Sequence, residues 1–123
     1  MNAPFSPSKV NLTEKLALFS DHWAPRIAGR YNGNEIRLVK AAGDFRWHSH
    51  PDTDELFLVL EGCLHMEFRD RTEVLGPGEM IIVPRGVEHF PQVPEGEVKL
   101  LLIDPADTPN TGDPKNAFKP QEI

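Results

Sequence analysis

Four residues in this sequence are suited by type and spacing to one piece of chemistry. His48 and His50 lie two apart, Glu55 follows shortly after, and His89 stands much further along, just past a Pro-x-Gly turn. On an extended strand, side chains two apart share a face, so His48 and His50 point the same way. Three neutral imidazoles and one carboxylate make a donor set for one divalent transition metal: Zn, Fe(II), Mn(II), Ni(II) or Co(II). A six-coordinate ion on four such ligands keeps two positions open for water, substrate or oxygen. The other histidines stand apart from this set. His65 lies mid-strand between Leu64 and Met66 and reads as a surface or pocket-lip residue, and His22 has no partner in sequence. Cys63 is the single cysteine, which excludes an intrachain disulfide. With no base placed beside it, it reads as a structural or surface thiol.

The elements that must position these residues are short and mostly extended. Residues 1–10 form an N-terminal arm. Asn11 is a plausible N-cap with Glu14 three residues on, and Leu12, Leu16 and Phe19 recur at helical spacing, which predicts one helix over 12–20. After it the apolar period falls to two. Strands are predicted over 26–31, 35–40, 45–48, 56–60, 63–68, 72–75, 80–83, 88–93 and 98–103, separated by Asn32-Gly33, Glu61-Gly62, Gly76-Pro77-Gly78 and Pro84-Arg85-Gly86. About nine short strands at close spacing predict an antiparallel sandwich or barrel. From residue 105 to 123 four prolines punctuate a polar stretch, read as an extended C-terminal tail on the surface or on a partner subunit, or as simple disorder.

Around the four residues stand two Gly/Pro frameworks. Gly43-x4-His48-x-His50-x4-Glu55-x6-Gly62 resembles the first motif of the cupins, and Gly78-x5-Pro84-x-Gly86-x2-His89 resembles the second. Both occur in order and together cover residues 43–93. Two departures touch no ligand: the gap from Gly43 to His48 is four residues where many cupins have five, and Val93 stands where the family often has Asn. The resemblance is greatest to small stand-alone bacterial cupins of the mannose-6-phosphate-isomerase-like class. It implies an all-β, double-stranded β-helix (jelly-roll) barrel with one short N-terminal helix, over residues 11–104. It also implies that His48, His50, Glu55 and His89 match the four metal ligands of the family.

The period-two rule then orients the pocket. If Glu55 faces inward, so do Phe57 and Val59, while Leu56, Leu58 and Leu60 face outward. A strand apolar on both sides needs both faces covered, by the helix or by a second subunit, which predicts a homodimer. Phe45, Phe57, Met66 and Phe68 are candidate pocket walls. Arg46 shares parity with the histidines and is a better candidate for an anionic ligand than Arg26 or Arg30. Trp47 alternates with the ligands and points into packing. Asp52 and Asp54 read as solvated loop charges, with orientation of an imidazole N–H as the alternative.

Composition narrows the function classes. Nineteen acidic against thirteen basic residues give a net charge of −6, which repels phosphate backbones and argues against nucleic acid. The longest apolar run falls far short of the ~20 residues of a membrane span, and residues 1–7 lack a signal-peptide pattern, so the expected setting is cytoplasmic. The expected partner is a small molecule. The leading expectation is a metalloenzyme that uses the metal as Lewis acid on a small polar or oxygen-bearing substrate, as a dioxygenase, isomerase or lyase, with Glu55 a possible base. The alternative is a non-catalytic cupin that binds or senses a small molecule.

Overall fold

A computed structural model describes residues 7–123. The order of elements is α1 (Leu12–Leu16), β1 (Arg26–Tyr31), β2 (Asn34–Asp44), β3 (Glu55–Glu61), β4 (Leu64–Glu67), β5 (Thr72–Leu75), β6 (Met80–Val83), β7 (Phe90–Pro105) and β8 (Gln121–Glu122). The start of the predicted N-terminal arm, residues 1–6, lies outside the described residues, and residues 7–10 carry no regular structure. Helix α1 begins where its cap predicts, with Glu14 N–H donating to Asn11 Oδ1 at 3.0 Å. It is shorter than the predicted 12–20. It ends at Leu16, and the chain turns before Phe19, which still reaches the apolar cluster of Leu16 and Leu38.

The fold is an all-β jelly roll, and β7 holds it together. This 16-residue strand pairs antiparallel with three others: β4 through its first residues, β2 along most of its length, and β3 on its opposite edge. Two predicted strands, 88–93 and 98–103, are therefore one bent strand. Residues 94–97 bulge out between the Gly43–Val93 and Ala41–Val98 pairs and stay exposed. Before the bend the strand pairs with β4, and beyond it with β3. The predicted strand over 45–48 is not a ladder strand. A single antiparallel bridge, His48 to His89, stands there instead.

Alternation along the strands builds the interior. On β3, Glu55, Phe57 and Val59 are buried, and Leu56, Leu58 and Leu60 are half-buried on the other face. Phe57 and Val59 join Val39, Leu64, Met66, Phe68, Leu100 and others in the main core. Each such side chain contributes about 1.5–3 kcal/mol when fully buried. On the outer face two apolar rows cross four strands: Ile82–Leu56–Ile103–Ile36 and Met80–Leu58–Leu101–Leu38. Helix α1 covers the Leu38 and Leu101 end, with Leu60. At the other end Met80 and Ile82 of edge strand β6 are exposed.

Beyond Pro105 the chain folds back over the barrel. Thr108 and Thr111 are buried, and Asn110 Nδ2 donates to Trp23 O at 3.3 Å. Gly112 (φ +79°) lies so close to Ser49 that a Cβ there would collide with its carbonyl oxygen, so the tail rests on the residue between the two motif histidines. The chain ends as β8 beside β1, with Ile123 N–H donating to Ile27 O. Among the described residues, no helix is long and apolar enough to cross a membrane.

Candidate metal centre

The four histidine and glutamate residues come from three places that the backbone draws together. His48 and His89 are joined by reciprocal backbone hydrogen bonds of 3.0 and 2.9 Å. Gly86 N–H donates to His50 O at 2.8 Å, tying the turn after β6 to the His-Ser-His segment. Asp54 Oδ1 accepts from the Arg85 backbone N–H at 2.9 Å and faces Arg85 Nε at 3.3 Å. Asp54 thus fixes that turn rather than an imidazole. Glu55 opens β3 on its inward face.

The four side chains each present one ligand atom, all within 4.8 Å of one another. His50 Nε2 lies 3.2 Å and His89 Nε2 3.5 Å from Glu55 Oε1. Orientation is set from behind. His48 Nδ1 lies 3.0 Å from Arg46 O, and His89 Nδ1 3.0 Å from Val87 O. A carbonyl only accepts, so each Nδ1 is the donor and each neutral ring turns a lone pair on Nε2 toward the centre. Glu55 Oε1 is an acceptor too. His48 Nε2, His89 Nε2 and Glu55 Oε1 therefore turn lone pairs to one place, and His50 Nε2, His89 Nε2 and Glu55 Oε1 have no hydrogen-bond partner among the described residues. A cation at the centre satisfies all of them at once, and three nitrogens with one carboxylate oxygen are what a divalent transition metal takes.

Titration follows from the same packing. Burial, then the neighbouring His89, lowers His48 to about 4, so it is neutral at pH 7. Burial opposes ionisation of Glu55, but the imidazoles of His50 and His89 beside it outweigh burial and hold the carboxyl well below its usual range. Asp104, fully buried on β7, goes the other way. Burial and then the charge of Glu55 raise it to about 9, and Arg37 pulls against them without prevailing.

A half-open cavity of about 30 Å³ adjoins the centre. Phe45, Phe57, His48, Glu55, Trp23 and Arg37 are among its walls. Of the predicted pocket residues, Phe45 and Phe57 line it. Met66 and Phe68 are packed in the barrel core and are not among its walls. Arg46 is exposed, its guanidinium 5.4 Å from the centre of the Phe45 ring. Trp47 packs outward against Phe90 under the guanidinium of Arg69, and Cys63 is exposed.

Sequence reasoning missed three residues here. Trp23 stacks on Phe45 (centroids 4.9 Å apart) and donates from Nε1 to Ala42 O at 2.9 Å. Its φ of 58° is unusual for a bulky residue, and nothing in the sequence announces it. Arg37 and Asp104 form a second buried polar group with Glu35. Glu35, Arg37, Val39 and Ala41 share parity on β2, a signal that was present and that places Arg37 inside the barrel.

The chain belongs to the cupin family. Residues 35–104, more than half of it, match the cupin domain. It is 44% identical over 59 residues to the uncharacterized protein YdbB of Bacillus subtilis (strain 168), a match that covers 47% of this chain and 52% of that one. The chain thus spans about half the length of that relative. Among solved structures it resembles a cupin-2 domain-containing protein from Shewanella frigidimarina (46% identity, TM-score 0.76, 78% of this chain and 93% of that one). It also resembles protein NMB1881 from Neisseria meningitidis (34% identity, TM-score 0.72, 80% and 100%).

Proposed function

We propose that this cupin binds one divalent transition metal through His48, His50, Glu55 and His89 and acts as a metalloenzyme on a small polar or oxygen-bearing molecule. The observation that carries the reading is the set of buried, orphaned acceptor atoms turned toward one point. A bound metal there supplies Lewis acidity to a ligand oxygen, the chemistry shared by dioxygenase, isomerase and lyase reactions. The chain's own residues do the rest. The carbonyls of Arg46 and Val87 hold two imidazoles in the ligating tautomer. Phe45, Phe57 and Trp23 give the adjoining cavity apolar walls. Glu55, held below the usual carboxylate range, is better suited to ligation than to proton abstraction at neutral pH.

The test is metal content of protein purified without a metal-affinity tag, followed by screening for oxygen uptake or isomerisation. Near one equivalent of Zn, Fe, Mn, Ni or Co per chain supports the reading. Less than a tenth of an equivalent, with no uptake on adding these ions, removes it. Bound metal with no turnover leaves the binding or sensing cupin. The exposed end of the two outer apolar rows, Met80 and Ile82 beside Leu56 and Leu58, favours a homodimer through this face. Light scattering should give twice the 13.8 kDa chain mass, and a monomer would refute it.

A further inference from the structure

We infer that Arg37 anchors a carboxylate of the molecule that enters this cavity, so that the site takes small carboxylic acids bearing a second oxygen within reach of the metal ligands. The inference rests on the proposed metal site and extends it to the class of ligand.

Arg37 is 1% exposed and stands on the same cavity wall as His48 and Glu55. Among the described residues it is the only Arg or Lys on that wall. Its guanidinium has five N–H donors in a planar fork. Nε and Nη2 both donate to one oxygen, Glu35 Oε1, at 3.0 and 2.7 Å. Nη1 makes no hydrogen bond among the described residues. It faces Asp104 Oδ2 at 3.6 Å, an ion-pair distance beyond hydrogen-bond range. Glu35 does not cancel the charge alone, because its other oxygen lies 3.5 Å from Arg30. An edge of a buried guanidinium is therefore left with donors to spare.

The rest of the wall suits the carbon body of such a ligand. Trp23, Phe45, Phe57 and Leu102 give it an apolar lining, and in that lining a guanidinium–carboxylate pair is screened less than in water. The volume of about 30 Å³ admits only a few ligand atoms beyond the mouth. The ligand so inferred is a short acid, with its carboxylate on Arg37 and its keto or hydroxyl oxygen toward His48 and Glu55. Arg46, the arginine favoured from strand parity, is exposed on Phe45 and does not face this wall.

Cobalt-loaded protein gives a direct test, with visible absorption reporting ligand binding. The probes are pyruvate, its neutral analogue pyruvamide, and imidazole as a neutral metal ligand. The parent should bind pyruvate at least tenfold more tightly than pyruvamide. The double variant Glu35→Gln/Arg37→Gln, which removes both charges together, should lose that preference while keeping one cobalt per chain and unchanged imidazole binding. Arg37→Lys, which keeps the charge and loses the fork, should fall between. Equal affinity for the two probes in the parent, or a preference that survives in the double variant, overturns the inference. If the double variant does not fold, the parent and Arg37→Lys decide it. If cobalt does not bind, the metal reading fails by itself. The same pair of probes is then compared by thermal shift on metal-free protein, where a pyruvate preference weakened in Arg37→Lys sustains the Arg37 anchor and none overturns it.

Discussion

Two buried polar clusters lie side by side in the barrel and are built on opposite terms. Around His48, His50, Glu55 and His89, lone pairs turn to one place, and no donor among the described residues completes His50 Nε2, His89 Nε2 or Glu55 Oε1. Around Arg37, the protein supplies its own cation and sets it against Glu35, with Asp104 beyond. The first cluster presents acceptors that a cation could satisfy. The second is compensated in part: Glu35 pairs with Arg37, while both Asp104 oxygens and one edge of the guanidinium have no hydrogen-bond partner among the described residues. A buried charge is tolerated only when paired. The contrast therefore separates residues that could hold an ion from residues that hold the barrel and present one donor edge.

The sharpest way to break this contrast is to remove the internal cation alone. Arg37→Met leaves Glu35 buried without its partner and should cost about 3–5 kcal/mol in urea denaturation. Glu35→Gln/Arg37→Gln should recover most of that loss. Equal losses in the two variants would mean that the pair is not what matters.

Acidity should separate the clusters next. His48 titrates near 4 when folded, below the 6.5 of the unfolded chain. Between those values the unfolded state binds more protons, so stability is complete above pH 6.5 and falls as the pH drops toward 4. The loss in metal-free protein should reach at most about 3 kcal/mol, at 1.36 kcal/mol per pKa unit. It should shrink in His48→Gln. Asp104 has the opposite sign. It keeps a proton that the unfolded chain gives up above 3.8, so its contribution declines as pH rises toward 9, and Asp104→Asn should flatten that decline. An unchanged pH profile in both variants would contradict the assignments.

A smaller effect distinguishes a cluster built for an ion from one built for stability. Glu55→Gln gives the neighbouring imidazoles a donor in place of an acceptor. Metal uptake should be lost, while the stability of metal-free protein should change by no more than about 1 kcal/mol, the worth of one hydrogen bond. A larger loss of stability in that variant would show that the carboxylate serves the fold.

The two clusters also differ in how they read from sequence. The four residues that meet at the candidate centre were legible because Gly and Pro punctuation frames each of them within one stretch of chain. Strands β1, β5 and β6 were placed to the residue by alternation and turn residues, and β3 faced as its parity required. The Arg37 cluster was not assembled in advance, because its members sit at the two ends of the domain and meet only when β2 pairs with β7. The fusion of two predicted strands into β7 was hidden by Pro94 and Gly96, which signal a break and here mark a bulge. The tail's position was illegible for a similar reason. The contact of Gly112 with Ser49 depends on a backbone approach, not on any periodic pattern.

The central claim is that the first cluster holds a metal, and one measurement reaches it most directly. The parent chain and the His48→Ala and His89→Ala variants are purified without an affinity tag, exposed to equimolar Zn, Fe(II), Mn, Ni and Co, desalted and analysed for metal. The account predicts close to one equivalent in the parent and less than a tenth in either variant, with all three chains folded. Absence of metal from the parent, or equal metal in parent and variants, would contradict it.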